Sequence, residues 1–293
     1  MNLALTVLNI TAPVFLLAAV GFVWVKLGFE YRVEFVTRMA MTLAVPCLIF
    51  VALMKTEIAP EALAALSMAS FVAYGLVMAG CFILVKLAKL NTQTYLAPLI
   101  FGNTGNLGLP LALFAFGEVG LGYAVVVFAV MAILSFTIGI WMVAGAGSFK
   151  RVAQEPLVGA TLLGALFLWQ GWQTPAFLTN AIELIGQMAI PMMLITLGVA
   201  VARLETKALT LAGLLSVAKV AICVSAAAAA AMWFGLGPIA TGVLIVQVAT
   251  PVAVTSYLLA EKYGADAQPV AGLVVASTLL SVLALPLILA FVI

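Results

Sequence analysis

The sequence predicts an all-α, polytopic membrane protein: ten transmembrane helices arranged as two inverted five-helix repeats. Three observations carry this. The 293 residues are 66% hydrophobic and only 8% charged, far outside the composition of a soluble globular domain. The apolar residues fall into ten runs, each close to the 20 or so residues that a helix needs to cross a bilayer. Finally, proline and small-residue motifs in the first half recur in the second at a nearly constant offset.

The ten predicted spans, in order, are Leu5–Val25, Phe35–Met54, Pro60–Val85, Thr94–Phe116 and Leu121–Ala146, then Pro156–Trp172, Thr179–Ala202, Ala208–Phe234, Pro238–Leu259 and Pro269–Val292. The loops between them are short, so no soluble appendage is expected. Residues 1–146 and 156–293 form the two repeats. The loops after spans 1, 3, 5, 7 and 9 carry Lys26, Arg32 and Arg38; Lys86 and Lys89; Lys150 and Arg151; Arg203 and Lys207; and Lys262. The loops on the other side hold only Lys55. Basic residues stay on the cytoplasmic side, which predicts both termini outside, in the periplasm of a bacterial inner membrane. No basic region precedes the first apolar run, which argues against a cleaved signal peptide. The net charge of +2 reflects these loops and points to no nucleic-acid partner.

The repeat rests on three pairs. Ala44-Val45-Pro46-Cys47-Leu48 parallels Ala189-Ile190-Pro191-Met192-Met193, Pro110 parallels Pro251, and Leu134-Ser135 parallels Leu280-Ser281. The offsets are 145, 141 and 146 residues. Five is odd, so the second copy enters the membrane upside down. Inverted repeats with interrupted helices in corresponding places are a signature of secondary transporters.

The most informative stretch is Gly102–Pro110, Gly-Asn-Thr-Gly-Asn-Leu-Gly-Leu-Pro, inside the charge-free segment Asn91–Gly117. In a continuous helix its glycines cost roughly 1 kcal/mol each and its proline roughly 3, relative to alanine. Asn103, Thr104 and Asn106 add polar groups at mid-membrane depth. Irregular backbone there is tolerated only when buried in protein or lining a wet cavity. The expectation is a break near Gly105–Gly108, where the N-terminus of the second half-helix offers free N–H groups to an anion. The alternative is a small-residue packing face using Gly105 and Gly108, which does not account for the asparagines.

Span 9 carries Gln247, Thr250, Pro251 and Thr255 in a comparable run. Crossing the two broken spans at their prolines brings Asn103 and Gln247 towards one midplane cavity. Pro46 and Pro191 either kink the cavity wall or free carbonyls for substrate, with Cys47 beside the first. Lys219 is the only charge well inside a span. Such a residue is costly and functional by default: it holds an anion, carries a proton, or snorkels to the inner surface.

Other chemistries are excluded or left without support. The chain has no histidine, which removes His-ligated metals and His-based general bases together. Cys47, Cys81 and Cys223 lack metal-ligand spacing and read as small buried hydrophobes. No carboxylate sits mid-span: Glu57, Glu61, Glu118 and Glu183 fall at outer ends, and Glu30, Glu34, Glu155, Glu205, Glu261 and Asp266 at inner ones. No cofactor or metal is expected, and an intramembrane enzyme, a passive channel and a non-transporting sensor are the weaker readings. The run Ala226–Ala231 offers only tight packing.

At these residues the sequence resembles the auxin efflux carrier family, the plant PIN-FORMED carriers and bacterial relatives described as malonate or malate permeases. The resemblance covers nearly the whole chain. Its most specific parts are Asn103-Thr104 with Gly108-Leu109-Pro110, Ala44-Val45-Pro46-Cys47-Leu48, Gln247 with Pro251, Glu261-Lys262-Tyr263 and Leu283-Ala284-Leu285-Pro286. It implies a bile-acid-sodium-symporter-like fold, with spans 1, 2, 6 and 7 as scaffold and spans 3–5 and 8–10 as a transport bundle that moves like an elevator. Spans 4 and 9 would cross at Pro110 and Pro251, Asn103 would help hold a substrate carboxylate, and a homodimer would form through the scaffold. Two departures stand out. The long loop of the plant carriers between spans 5 and 6 shrinks to about ten residues, and the acid they carry near the start of span 3 is missing from Ala62–Val85. The coupling ion, sodium or proton if any, therefore stays open.

The expected function is transport of a small organic anion, a mono- or dicarboxylate, bound by Asn103, Thr104, Asn106, Gln247, Thr250, Pro46, Cys47 and Lys219. The alternative is a sodium-coupled symporter of bile-acid-like or other larger anions.

Overall fold

The computed structural model describes residues 3–55, 58–144, 156–203 and 209–293. The basic loop residues Lys150, Arg151 and Lys207, the acids Glu57, Glu155 and Glu205, and the adjoining ends of predicted spans 5 and 8 lie outside the described residues. Among those described, every element is helical and no strand forms. Seven stretches are long and apolar enough to cross a membrane: Val7–Lys26, Val33–Lys55, Glu61–Leu87, Thr104–Val143, Ala176–Arg203, Leu209–Trp233 and Ala267–Val292. Gly159–Gln170 and Pro238–Val248 are shorter apolar helices. This is a polytopic helical membrane protein.

The helices are α1 (Leu3–Lys26), α2 (Val33–Met39), α3 (Val45–Lys55), α4 (Pro60–Leu87), α5 (Thr92–Ile100), α6 (Leu109–Leu134) and α7 (Ile140–Ala144). After the undescribed connection come α8 (Pro156–Gln170), α9 (Ala176–Gln187), α10 (Ala189–Arg203), α11 (Leu209–Trp233), α12 (Pro238–Val248), α13 (Val254–Tyr263) and α14 (Ala267–Val292). Predicted spans 4 and 5 are parted inside α6, where two helical stretches meet at a kink. Gly117 turns the corner within α6 at φ 66° and ψ −159°, a backbone conformation that only glycine adopts without strain. Predicted span 9 is divided between α12 and α13.

Three wider, π-type turns interrupt the helices, at Ala40–Ala44, Thr104–Gly108 and Ser135–Gly139. The first stands directly before Pro46, whose missing N–H leaves the carbonyl of Thr42 without its usual partner. In the third, Thr137 Oγ1 donates to the Ile133 carbonyl at 2.6 Å, a back-bond that loosens the helix around it. On the second-half counterpart, the chain breaks step at Met188 between α9 and α10, just before Pro191. Side-chain caps fix two starts. Asn91 Oδ1 accepts from the N–H groups of Gln93 and Thr94 at the head of α5, and Asp266 Oδ1 accepts from Gln268 N at the head of α14.

Packing gathers the helices into neighbours. α1 lies along α10, and α3 packs on α8 and α9; α11 packs on α4, α12 and α14, and α12 on α6. The α1–α10 contact is backbone on backbone. A Cβ at Gly198 would run into the Ala18 carbonyl, and one at Gly21 into the Ile195 carbonyl, the close approach that small residues allow between membrane helices. One continuous apolar core then runs from Ala40 and Val45 through Tyr74, Val77 and Cys81 to Leu99, Phe101 and Val274. Cys81 and Cys223 are buried as expected, whereas Cys47 is half-buried.

Candidate functional site

Two helices come apart in mid-bundle and meet. α5 ends at Ile100, and Phe101, Gly102 and Asn103 are extended or irregular before the turn Thr104–Gly108. α12 ends at Val248, and residues 249–253 cross without regular structure before α13. Gly102 and Val252 form an antiparallel bridge, and Asn103 N donates to the Pro251 carbonyl at 2.7 Å. Only glycine fits at 102, because a Cβ there would lie 2.8 Å from the Thr250 carbonyl oxygen.

The break expected at Gly105–Gly108 therefore lies a few residues earlier. The physical reason is that Gly102 permits the backbone contact, while Thr104–Gly108 close into a wide turn. Asn103 O accepts from both Leu107 N and Gly108 N, at 3.1 and 3.2 Å. The crossing is likewise not at the two prolines. Pro251 contributes its carbonyl to it, but Pro110 sits in the first turn of α6, where a missing N–H is tolerated.

Neighbouring helices hold the loose ends. Lys219 on α11 donates from Nζ to the Thr250 carbonyl at 2.7 Å, Thr250 Oγ1 donates to the Gln247 carbonyl at 2.7 Å, and Ser277 Oγ on α14 accepts from Val252 N at 2.9 Å. Lys219 is wholly buried and so does not snorkel.

A cavity of about 160 Å³ opens at the crossing. Gly102, Asn103, Gly105 and Asn106 line it from one broken helix, and Ala253, Val254, Thr255 and Ser256 from the other. The wall is completed chiefly by Met41, Pro98, Phe101, Phe128, Met131 and Ser135. Among the described residues, no charged side chain is part of it. The leading turns of both second half-helices border this space, and the first N–H groups of a helix have no partner a turn behind them. Asn103 is 5% exposed, and among the described residues its Nδ2 has no hydrogen-bond partner. An unpaired buried amide of this kind costs roughly 1–3 kcal/mol.

The predicted site residues thus separate. Asn103, Asn106 and Gly105 share the cavity with Thr255. Gln247, expected in the same cavity, lines none of it. Its carboxamide is fully buried against Gly108, with a Cβ there reaching 2.8 Å from Cδ, and among the described residues neither Nε2 nor Oε1 has a partner. Thr104 Oγ1 is also buried and unpartnered. Lys219 is occupied with the Thr250 carbonyl and the Thr250 hydroxyl with the Gln247 carbonyl, while Pro46 and Cys47 line neither this cavity nor the one described next. Phe101, Phe128, Met131 and Ser256 were not anticipated. They come from segments whose apolar composition marks them only as membrane-buried.

A second, larger cavity of about 790 Å³ lies at the end of the molecule that carries Lys55. Its walls include Leu48, Val51, Lys55, Leu113, Phe114, Glu118, Glu183, Gln187 and Pro191. Lys55 Nζ is ion-paired with Glu183 Oε1 in its wall.

The family model described as membrane transport protein matches residues 6–289. No match is found among curated proteins. With that match spanning nearly the whole chain, and the sequence motifs already pointing the same way, the chain belongs to the membrane transport protein family that includes the auxin efflux carriers.

Proposed function

We propose that this protein is a secondary transporter of small organic anions, mono- or dicarboxylates, which bind where the two interrupted helices cross. One observation carries the reading: a buried asparagine amide, Asn103 Nδ2, stands without a partner among the described residues, in a cavity bordered by two helix N-termini. Each such end acts as roughly half a positive charge, so together they offset a carboxylate without a fixed cation. A site of that kind grips weakly enough to release its cargo, which conduction and transport both require.

The reading includes ten crossings in two inverted repeats. Interruptions in corresponding places support it: the crossing segments around Gly102 and Val252, and the steps before Pro46 and Pro191. Spans 1, 2, 6 and 7 would form a scaffold, against which the remaining spans carry the site from one face to the other. The close backbone contact of α1 with α10 suits a fixed scaffold. A homodimer in a bacterial inner membrane, with both termini outside, completes the proposal.

The test is equilibrium binding and counterflow of candidate carboxylates in liposomes, with and without sodium and pH gradients, for wild type and Asn103→Ala. Asn103→Ala is expected to weaken binding about tenfold or more, the size of a charge-assisted hydrogen bond. Unchanged affinity rules out the assignment, and flux that strictly follows a sodium gradient favours the symporter of larger anions.

A further inference from the structure

We infer that the larger cavity contains a second, low-affinity carboxylate site, in which Lys55 exchanges its internal partner Glu183 for the carboxylate of an arriving or departing solute. This goes beyond the crossing site but rests on the same reading of the solute as an organic anion.

Among the described residues, Lys55 is the only cationic side chain lining either cavity, and it ends α3, where the helix terminus itself favours positive charge. Its partner Glu183 reaches over from α9, so the pair joins two helices that wall the cavity. The two side chains are 50% and 31% exposed. A pair this accessible contributes little net free energy, because water competes for both ends. A free carboxylate presents Lys55 with the same chemistry as Glu183, so replacing one by the other is close to neutral.

The surroundings choose which carboxylates profit. Leu48, Val51, Leu113 and Phe114 give the cavity that holds the ammonium an apolar lining, and Gln187 adds an amide. A monocarboxylate with an apolar body can place its charge on Lys55 and its body on that lining. Glu118 also lines the cavity, so the lining carries one positive and two negative groups. A second carboxylate on the solute would face Glu118 and the displaced Glu183. The geometry thus favours monoanions here, and it makes Glu183 a built-in competitor that keeps the site weak.

The test uses the full chain in detergent with benzoate as the probe, followed by titration calorimetry and saturation-transfer NMR. Wild type, Lys55→Gln and Glu183→Gln are each measured alone and with Asn103→Ala, which separates this site from the crossing. Glu183→Gln is expected to tighten benzoate binding about three- to fivefold, the worth of an exposed ion pair. Lys55→Gln is expected to abolish the salt-sensitive component, since exposed charges are screened by salt. Both effects persist in the Asn103→Ala background even if the crossing proves not to bind anions. Benzoate binding and salt dependence unchanged in Lys55→Gln, or no tightening in Glu183→Gln, overturns the inference. Thermal unfolding of both variants confirms that they fold, as substitution of a solvent-accessible pair allows.

Discussion

The amino group of Lys219 and the carbonyl oxygen of Thr250 lie 2.7 Å apart in the fully buried interior. An amine donor therefore sits at the C-terminal end of α12, where the last carbonyls lack helical partners. Lys219→Met keeps the length of the side chain and removes the donor. Leaving the buried Thr250 carbonyl without this partner is expected to lower stability by about 1–3 kcal/mol. A lower melting temperature in detergent, with transport reduced in proportion, is the outcome; an unchanged melting temperature contradicts it.

The two glycines of the crossing should answer differently to alanine. At Gly102 the new methyl meets the Thr250 hydroxyl and also the carbonyl oxygens of Thr250 and Pro251, and the two carbonyls cannot rotate away. At Gly108 it meets the Gln247 carboxamide, which can be removed. Overpacking costs about 1–3 kcal/mol in each. Gln247→Ala is expected to rescue Gly108→Ala and to leave Gly102→Ala unrelieved, a difference that a double-mutant cycle on thermal stability reads directly.

Gly198→Val should prevent α1 from seating on α10, because the Ala18 carbonyl carbon lies 2.6 Å from the position of the new Cβ and Phe22 N 2.9 Å. Size-exclusion chromatography of the solubilised variant is expected to show loss of the monodisperse peak. Gly75→Ala on α4 is the control. Nothing lies within 4 Å of its Cβ position, and alanine gains about 1 kcal/mol of helix propensity there.

Tyr31, in the loop between α1 and α2, shares a 2.8 Å hydrogen bond with Thr196 Oγ1, and its carbonyl accepts from Arg203 Nη2 at 2.6 Å. Burial pushes its phenol above the usual value of 10.0, and the Thr196 hydrogen bond pulls the other way. The folded state therefore holds the proton more tightly than the unfolded one. Its contribution is fully present below pH 10 and is lost as pH rises through the folded value. Tyr31→Phe should flatten the alkaline fall in stability above pH 10; an identical profile for the two proteins would count against the link.

The sequence disclosed the polar break because glycine, asparagine and proline at bilayer depth are costly unless the helix opens around them. It placed the break a few residues late, since Gly102 matters through a contact with Thr250, some 150 residues away, and no local pattern records that. Lys219 was conspicuous as a buried charge, yet its partner is a backbone carbonyl, which every residue possesses and no composition reveals. Gln247 was singled out correctly as polar and buried, but the face of α12 it occupies depends on Gly108. The cavity wall of Phe101, Phe128 and Met131 was illegible for the opposite reason: in a chain this apolar, one more aromatic or methionine carries no signal.

At Gly117 a single residue links the arm that begins after Asn103 to the arm that continues towards Ser135, with no slack chain between them. The ends of the two arms at this corner therefore shift together, while the angle between the arms is left free to change at the glycine.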